Sequence, residues 1–186
     1  MNVKMITAAS GRAALTAAVS VVPGLLNVPG QACTVRLRGQ SLTVIAELAE
    51  SGLGLGARRR DPITDVLALE LASGSGQNVD WPRPVALHAV VVAGQDAVRT
   101  VQRASRWASY ASRVAVVPAE RVSDHVRAEA SLRGVWLVAA DQPPSVVSAG
   151  EIGPTPGSER GLLHRLLDEV VLDVLVRKYP SPARFA

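Results

Sequence analysis

The amino-acid sequence predicts an α/β fold in which a central mixed sheet is flanked by helices. Strand-like and helix-like segments alternate between residues 65 and 138, which is the order of a layered α/β unit. Hydrophobic residues make up 48% of the chain and aromatic residues only 3%, so the core has to be built from Val, Leu and Ala. The segments, in order, are the strand DVLALEL from Asp65, the strand LHAVVVA, a helix over residues 96–112, the strand VAVVP, a helix over Asp124–Leu132 and the strand GVWLV.

The length and composition limit the class of protein. A chain of 186 residues is the size of one domain, in which residues 1–40 are expected to form an N-terminal extension that packs on an α/β domain of residues 41–186. The formal charge is +4, and Lys4 and Lys178 are the only lysines. Arginine favours bidentate pairing with phosphate or carboxylate, but a high-GC bacterial or phage genome produces the same bias. The single cysteine, Cys33, excludes an internal disulfide bond.

The N-terminal segment predicts a short apolar helix over residues 3–22, ended by Pro23 and Gly24. Lys4 and the apolar residues that follow resemble a secretory signal, but Arg12 interrupts the apolar run. No stretch reaches the roughly 18 uninterrupted apolar residues of a membrane span. We therefore expect a cytoplasmic protein without a membrane segment.

The remaining elements follow from local patterns. Residues 34–38 alternate as a short strand, and Ser41 is expected to cap a helix over residues 42–50 whose apolar face contains Leu42, Ile45 and Leu48. Loops are expected at GLGLG with the arginines that follow it, at residues 74–84 and at residues 142–158. The chain is then expected to close with a helix over residues 159–179.

The helix over residues 96–112 has the clearest pattern. A row of cationic and aromatic side chains repeats at helical spacing, and alanines repeat on the opposite face, which lets the helix lie close against a sheet. The cationic row is able to follow a phosphate backbone, and a solvated helix face explains it equally well. The row consists of Arg99, Arg103, Arg106, Tyr110 and Arg113.

The segment from about Thr43 to Val174 resembles the restriction-endonuclease-like, or PD-(D/E)XK, superfamily. The resemblance rests on the order of several short motifs rather than on any one of them. In that family an acidic helix leads to a strand with an Asp and then to a strand with Glu-x-Lys. The matching segments here are Glu47 or Glu50 in the first helix, Asp65 opening DVLALEL, LHAVVVAGQDAV, RWASY, LRGVWLV and LLHRLLDEVVLDVL.

The catalytic motif of the family is absent from this alignment. Val90 stands at the glutamate position and Val92 at the lysine position. A hydrated divalent cation needs the carboxylates, and two valines supply neither a ligand nor a base. Asp65 is left as a residual catalytic candidate, with Glu70 or Asp96 as the carboxylates that a migrated metal site would use.

Three functions follow from these observations. The first is a catalytically inactive nuclease-like domain that binds nucleic acid and uses no cofactor. The second is a structural or interaction subunit, with a protein partner or a second copy of the chain. The third is a nuclease with migrated catalytic residues, which would need Mg²⁺. The residues expected to bind nucleic acid are Arg58, Arg59, Arg60, Arg99, Arg103, Arg106, Tyr110 and Arg113.

Overall fold

A computed structural model describes residues 3–37, 40–49, 62, 64–65, 84–154 and 162–178. Within these residues a six-stranded sheet is flanked by helices, which confirms the predicted α/β class. The helices are α1 (Val3–Leu25), α2 (Ala97–Ser105), α3 (Asp124–Leu132) and α4 (Leu162–Lys178). The strands are β1 (Gln31–Leu37), β2 (Gln40–Leu48), β3 (Val85–Ala93), β4 (Ser112–Val117), β5 (Trp136–Ala139) and β6 (Ser145–Ser148).

The sheet is mixed, and its strands lie side by side in sequence order from β1 to β6. The first three strands are antiparallel, β3 to β5 are parallel, and β6 returns antiparallel to β5. Parallel neighbours need a crossover between them, and α2 and α3 provide the two crossovers. The three predicted strands LHAVVVA, VAVVP and GVWLV therefore form the parallel part of the sheet.

Helices cover both faces of the central strands. Helix α1 packs on one face, where Ala89 and Val91 of β3 belong to its apolar cluster. Helices α2, α3 and α4 pack on the other face, which receives Val90 and Val92. Central strands that are covered on both sides read as continuous apolar runs, which is why β3 is so rich in valine.

The helix predicted over residues 42–50 is wrong, because the structure has strand β2 there. Ser41 is part of this strand and caps no helix. Thr43, Val44 and Ile45 are consecutive β-branched residues, which favour a strand. They pair on one side with β1, where Val44 lies opposite Cys33, and on the other with β3. The strand predicted over residues 34–38 is confirmed for Thr34 to Leu37, inside β1.

Other boundaries moved by a few residues or not at all. Helix α3 has the predicted bounds, and Ser123 caps it with a side-chain oxygen that accepts from the N–H of Val126 at 3.3 Å. Helix α1 ends at Leu25 with Pro23 inside its last turn, after which Asn27 adopts a left-handed backbone conformation with φ of 50°. The predicted loop over residues 142–158 contains strand β6. None of the described helices is long and apolar enough to cross a membrane.

A hydrogen bond holds the residue after β2 next to the residue before β3. The N–H of Ala49 donates to the carbonyl of Pro84 at 3.1 Å. Strand β3 has β2 on one side and β4 on the other, so both of its hydrogen-bonding edges are occupied.

Asp65 is exposed and belongs to no helix or strand. Several predicted features lie outside the described residues: the rest of DVLALEL with Glu70, Glu50, GLGLG and Arg58, Arg59 and Arg60.

Candidate functional site

The passage from β3 into α2 is fixed by local contacts. Asp96 is the N-cap of the helix, and its Oδ1 accepts from the N–H of Arg99 at 3.0 Å. The hydroxyl of Thr100 donates to the carbonyl of Asp96 at 2.6 Å. A Cβ at Gly94 would collide with the same hydroxyl, so a larger residue there would displace Thr100 from this bond. The Gly-x-Asp sequence thus sets where the arginine-bearing helix begins.

Helix α2 is shorter than predicted, and this divides the cationic row. It ends at Ser105, Arg106 is its C-cap, and β4 starts at Ser112. Arg99, Arg103 and Arg106 are all exposed on one side of α2. We call these three residues the arginine face. Tyr110 and Arg113 lie beyond the helix, so the prediction that they continue its face is wrong.

Arg113 is a structural residue on β4. Its side chain is 2% exposed, and Nη2 donates to Oε2 of Glu151 while Nη1 donates to the carbonyl of Ala108 at 3.3 Å. Glu151 itself is 62% exposed, so the ion pair connects the interior to the surface. A guanidinium held in this way is not on the exposed face predicted for it, because the strand directs it into the protein.

Tyr110 and His164 join α4 to the segment that follows α2. Their rings stack with centroids 3.8 Å apart and an interplanar angle of 17°. His164 is buried, and its Nε2 donates to the carbonyl of Ser109 at 2.8 Å. The carbonyl can only accept, so the proton is on Nε2. Trp107 meets Tyr110 edge-on, with ring centroids 5.1 Å apart.

A cleft of about 280 Å³ lies beside the arginine face. Two of the three arginines and both aromatic rings border it, together with aliphatic side chains from β2, β3 and α4. Trp107 and the aliphatic residues were not among the predicted site residues, although a tryptophan directly after Arg106 stands out in a chain so poor in aromatics. The lining residues are Leu42, Val92, Arg103, Arg106, Trp107, Tyr110 and Leu163.

The arginine face differs in its partners from three other described arginines. Within the described residues, ion pairs join Arg113 to Glu151, Arg133 to Glu129 at 2.7 Å, and Arg177 to Asp173 at 2.8 Å. No described carboxylate pairs with Arg99, Arg103 or Arg106. Their guanidinium groups therefore face solvent with unneutralised charge as far as the described part of the chain extends.

The positions aligned with the nuclease motif are apolar and buried. Val90 and Val92 are 0% and 5% exposed and pack in the clusters beneath α2 and α4. On β2 the carboxylate of Glu47 contacts Nε2 of His88 at 3.0 Å, and the His88 side chain is 24% exposed.

Within the part of the chain that the structure describes, no group of three or more His, Cys, Asp or Glu side chains is placed to hold a metal ion. Comparison of the chain with models of protein families, with curated proteins and with solved structures yields no match.

Proposed function

We propose that this protein binds nucleic acid, without hydrolysing it, through the arginine face. The observation that carries the proposal is the set of three exposed arginines on one side of α2 that no described carboxylate neutralises. Arginine pairs well with phosphate because its planar fork of N–H donors matches two phosphate oxygens. Contacts of this kind position a protein on nucleic acid and do not read its sequence.

The dimensions of the arginine face support this proposal. From Arg99 to Arg106 the helix advances by about 10 Å, at about 1.5 Å for each residue. Phosphates of one DNA strand are spaced about 3.4 Å along the axis, so the three guanidinium groups span roughly three phosphate spacings. A net charge of +4 on the whole chain favours the approach of a polyanion.

The proposal includes a nuclease-like scaffold of the PD-(D/E)XK type that has no catalytic metal site. Its support is the run of strand, helix, strand, helix and strand from β3 to β5, in the order that the resemblance implies. Buried valines at positions 90 and 92 support the absence of cleavage. A carboxylate and a lysine at those positions would have to be buried among apolar side chains, which is costly without partners.

A salt titration tests the proposal. Binding of a fluorescent oligonucleotide, followed by anisotropy, is expected to weaken steeply as salt rises. Replacing Arg99 and Arg103 by Ala is expected to lower the slope of log K against log salt by about 1.8 for a duplex and about 1.4 for a single strand, since two phosphate contacts are lost.

The matched control is the double substitution Arg12→Ala with Arg36→Ala. Both arginines are exposed, and they lie on α1 and β1, away from the arginine face. This variant loses the same charge and is expected to keep most of the slope. An equal loss of slope in both double variants, or no binding at low salt, would refute the proposal and favour a structural role. Magnesium-dependent cleavage that disappears in Asp65→Ala would establish the nuclease instead.

A further inference from the structure

The cleft beside the arginine face has two kinds of wall. Leu42, Val92 and Leu163 make one wall aliphatic, while Arg103 and Arg106 stand at the exposed side. Its volume of about 280 Å³ lies just below the range of small-molecule sites, about 300–1,000 Å³. A space of this size suits one planar ring system and is small for a dinucleotide cofactor.

Trp107 is the aromatic surface available to such a ring. Tyr110 also borders the cleft, but its ring is already stacked on His164. The edge-on contact between Tyr110 and Trp107 holds the indole against the cleft. The bond from His164 to the carbonyl of Ser109 fixes the turn that carries both rings. The cleft is therefore held in place by contacts to α4 before any ligand arrives, which lowers the entropy cost of binding.

The positions of the arginines indicate which chemical groups the ligand should carry beside its ring. Arg103 borders the cleft one helical turn from Arg99, and Arg106 stands directly before Trp107. A ligand that places a ring on the indole thus has anionic groups within reach of the arginine face. A nucleobase joined to a chain of phosphates meets both requirements, and aromatic stacking accepts any base.

We propose that the cleft binds an unpaired base against Trp107, so that the protein prefers single-stranded nucleic acid to a duplex. This inference rests on the proposed nucleic-acid binding and adds the class of ligand. In a duplex the bases are stacked on each other and unavailable to the cleft, so a duplex engages only the arginine face. A single strand engages the arginine face and the cleft together.

The test compares three labelled DNA ligands of about 16 nucleotides, near the upper end of single-strand site sizes. They are a single strand, the corresponding duplex, and a single strand that has the same phosphates but abasic sites in place of bases. The wild-type protein is expected to bind the first at least 5-fold more tightly than the abasic strand, because stacking of one base is worth about 5- to 150-fold in affinity. This comparison needs no variant.

Substitution of Trp107 gives the second arm. Trp107→Leu keeps an apolar side chain where the indole packs on the core, and removes the aromatic face. It is expected to lose roughly 5- to 150-fold in single-strand affinity and to leave duplex and abasic binding unchanged. Trp107→Phe is expected to retain most of the affinity. Thermal unfolding of each variant checks that the fold is intact. Tryptophan fluorescence should be quenched by the single strand in the wild type and not in Trp107→Phe.

The outcomes separate the two proposals. Equal affinity for all three ligands, lowered together by Arg99→Ala with Arg103→Ala, would overturn the base site and leave nucleic-acid binding intact. No binding of any ligand would overturn both. A free mononucleotide that quenches Trp107, in the absence of oligonucleotide binding, would make the cleft a nucleotide site and overturn the preference for single strands.

Discussion

Arg106 and Arg113 lie seven residues apart, a spacing that would put them on the same face of a continuous helix. One is exposed at the end of α2, and the other is buried on β4, where it pairs with Glu151. A phosphate can reach the first, whereas the second is committed to the protein itself. The difference shows that the element that holds an arginine decides whether its side chain is exposed or buried, and four comparisons of variants test this division.

The largest expected effect is that of Arg113→Ala. The substitution removes the contacts to Glu151 and to the carbonyl of Ala108 and leaves a cavity in the interior. We expect a loss of about 3 kcal/mol in the free energy of unfolding, in the range of other large-to-small substitutions in cores. Urea unfolding followed by circular dichroism measures it.

Arg106→Ala is the control for that substitution. An exposed arginine away from special contacts is expected to change stability by no more than about 0.5 kcal/mol. If Arg113→Ala were as mild as Arg106→Ala, the distinction between a structural and a binding arginine would be wrong.

The next largest effect concerns the glycine beside the ion pair of Arg113 and Glu151. Gly134 has φ of +60°, and a Cβ there would collide with the side chains of Arg113 and Glu151. Gly153 has φ of +77°, but nothing lies within 4 Å of a Cβ there. We expect Gly134→Ala to cost about 2–3 kcal/mol and Gly153→Ala about 1 kcal/mol, since only the first adds a collision to the backbone strain. Thermal unfolding of the two variants measures the difference, and equal losses would show that the side chains of Arg113 and Glu151 move aside to admit the Cβ.

A smaller effect is expected at the start of the arginine-bearing helix. Asp96→Ala removes the acceptor for the N–H of Arg99 and should lower stability by about 1 kcal/mol. Asp96→Asn keeps an oxygen in the same place and is expected to restore most of the loss. Urea unfolding distinguishes the two, and an Asn variant as unstable as the Ala variant would point to charge rather than capping.

The smallest effect is expected for the ion pair between Arg133 and Glu129, in which the arginine is half-exposed. Arg133 donates a hydrogen bond to Glu129 and thereby lowers the pKa of that carboxyl, against the opposing effect of desolvation. A lowered pKa in the folded state stabilises the protein above the ordinary pKa of Glu, and the stabilisation is lost as the pH falls through the folded value. The stability difference between the wild type and Glu129→Gln should therefore shrink as the solution becomes acidic. A difference that grows on acidification would have the wrong sign.

Much of the fold could be predicted from the sequence where a local signal was complete. Helix α3 has a cap at Ser123 and a glycine after its last turn, so its bounds were confirmed. Strand β2 could not be told from a helix by the spacing of Leu42, Ile45 and Leu48. Its β-branched residues favour a strand, but the strand is fixed by its pairing with β1 and β3. The pairing with β3 joins residues that are far apart in the chain.

The candidate site was predictable only in part, for a related reason. The arginine spacing continues past Ser105, but the backbone leaves the helix because Ser112 to Val117 pair with the strands on both sides. Arg99, Arg103 and Arg106 were placed correctly as exposed residues, since they precede that change. The burial of Arg113 and His164 depends on Glu151 and Ser109, which are 38 and 55 residues away in the chain. Partners so far apart in the chain cannot be identified from the spacing of residues within one helix or strand.

The bond between Ala49 and Pro84 has a consequence for how this chain tolerates change. It joins the end of β2 to the start of β3, so the two ends of the connection between these strands are held next to each other. The entropy of closing a loop rises only slowly with its length. Each doubling of the number of residues between Ala49 and Pro84 should therefore add only about 0.6 kcal/mol to the entropy cost of closing this connection.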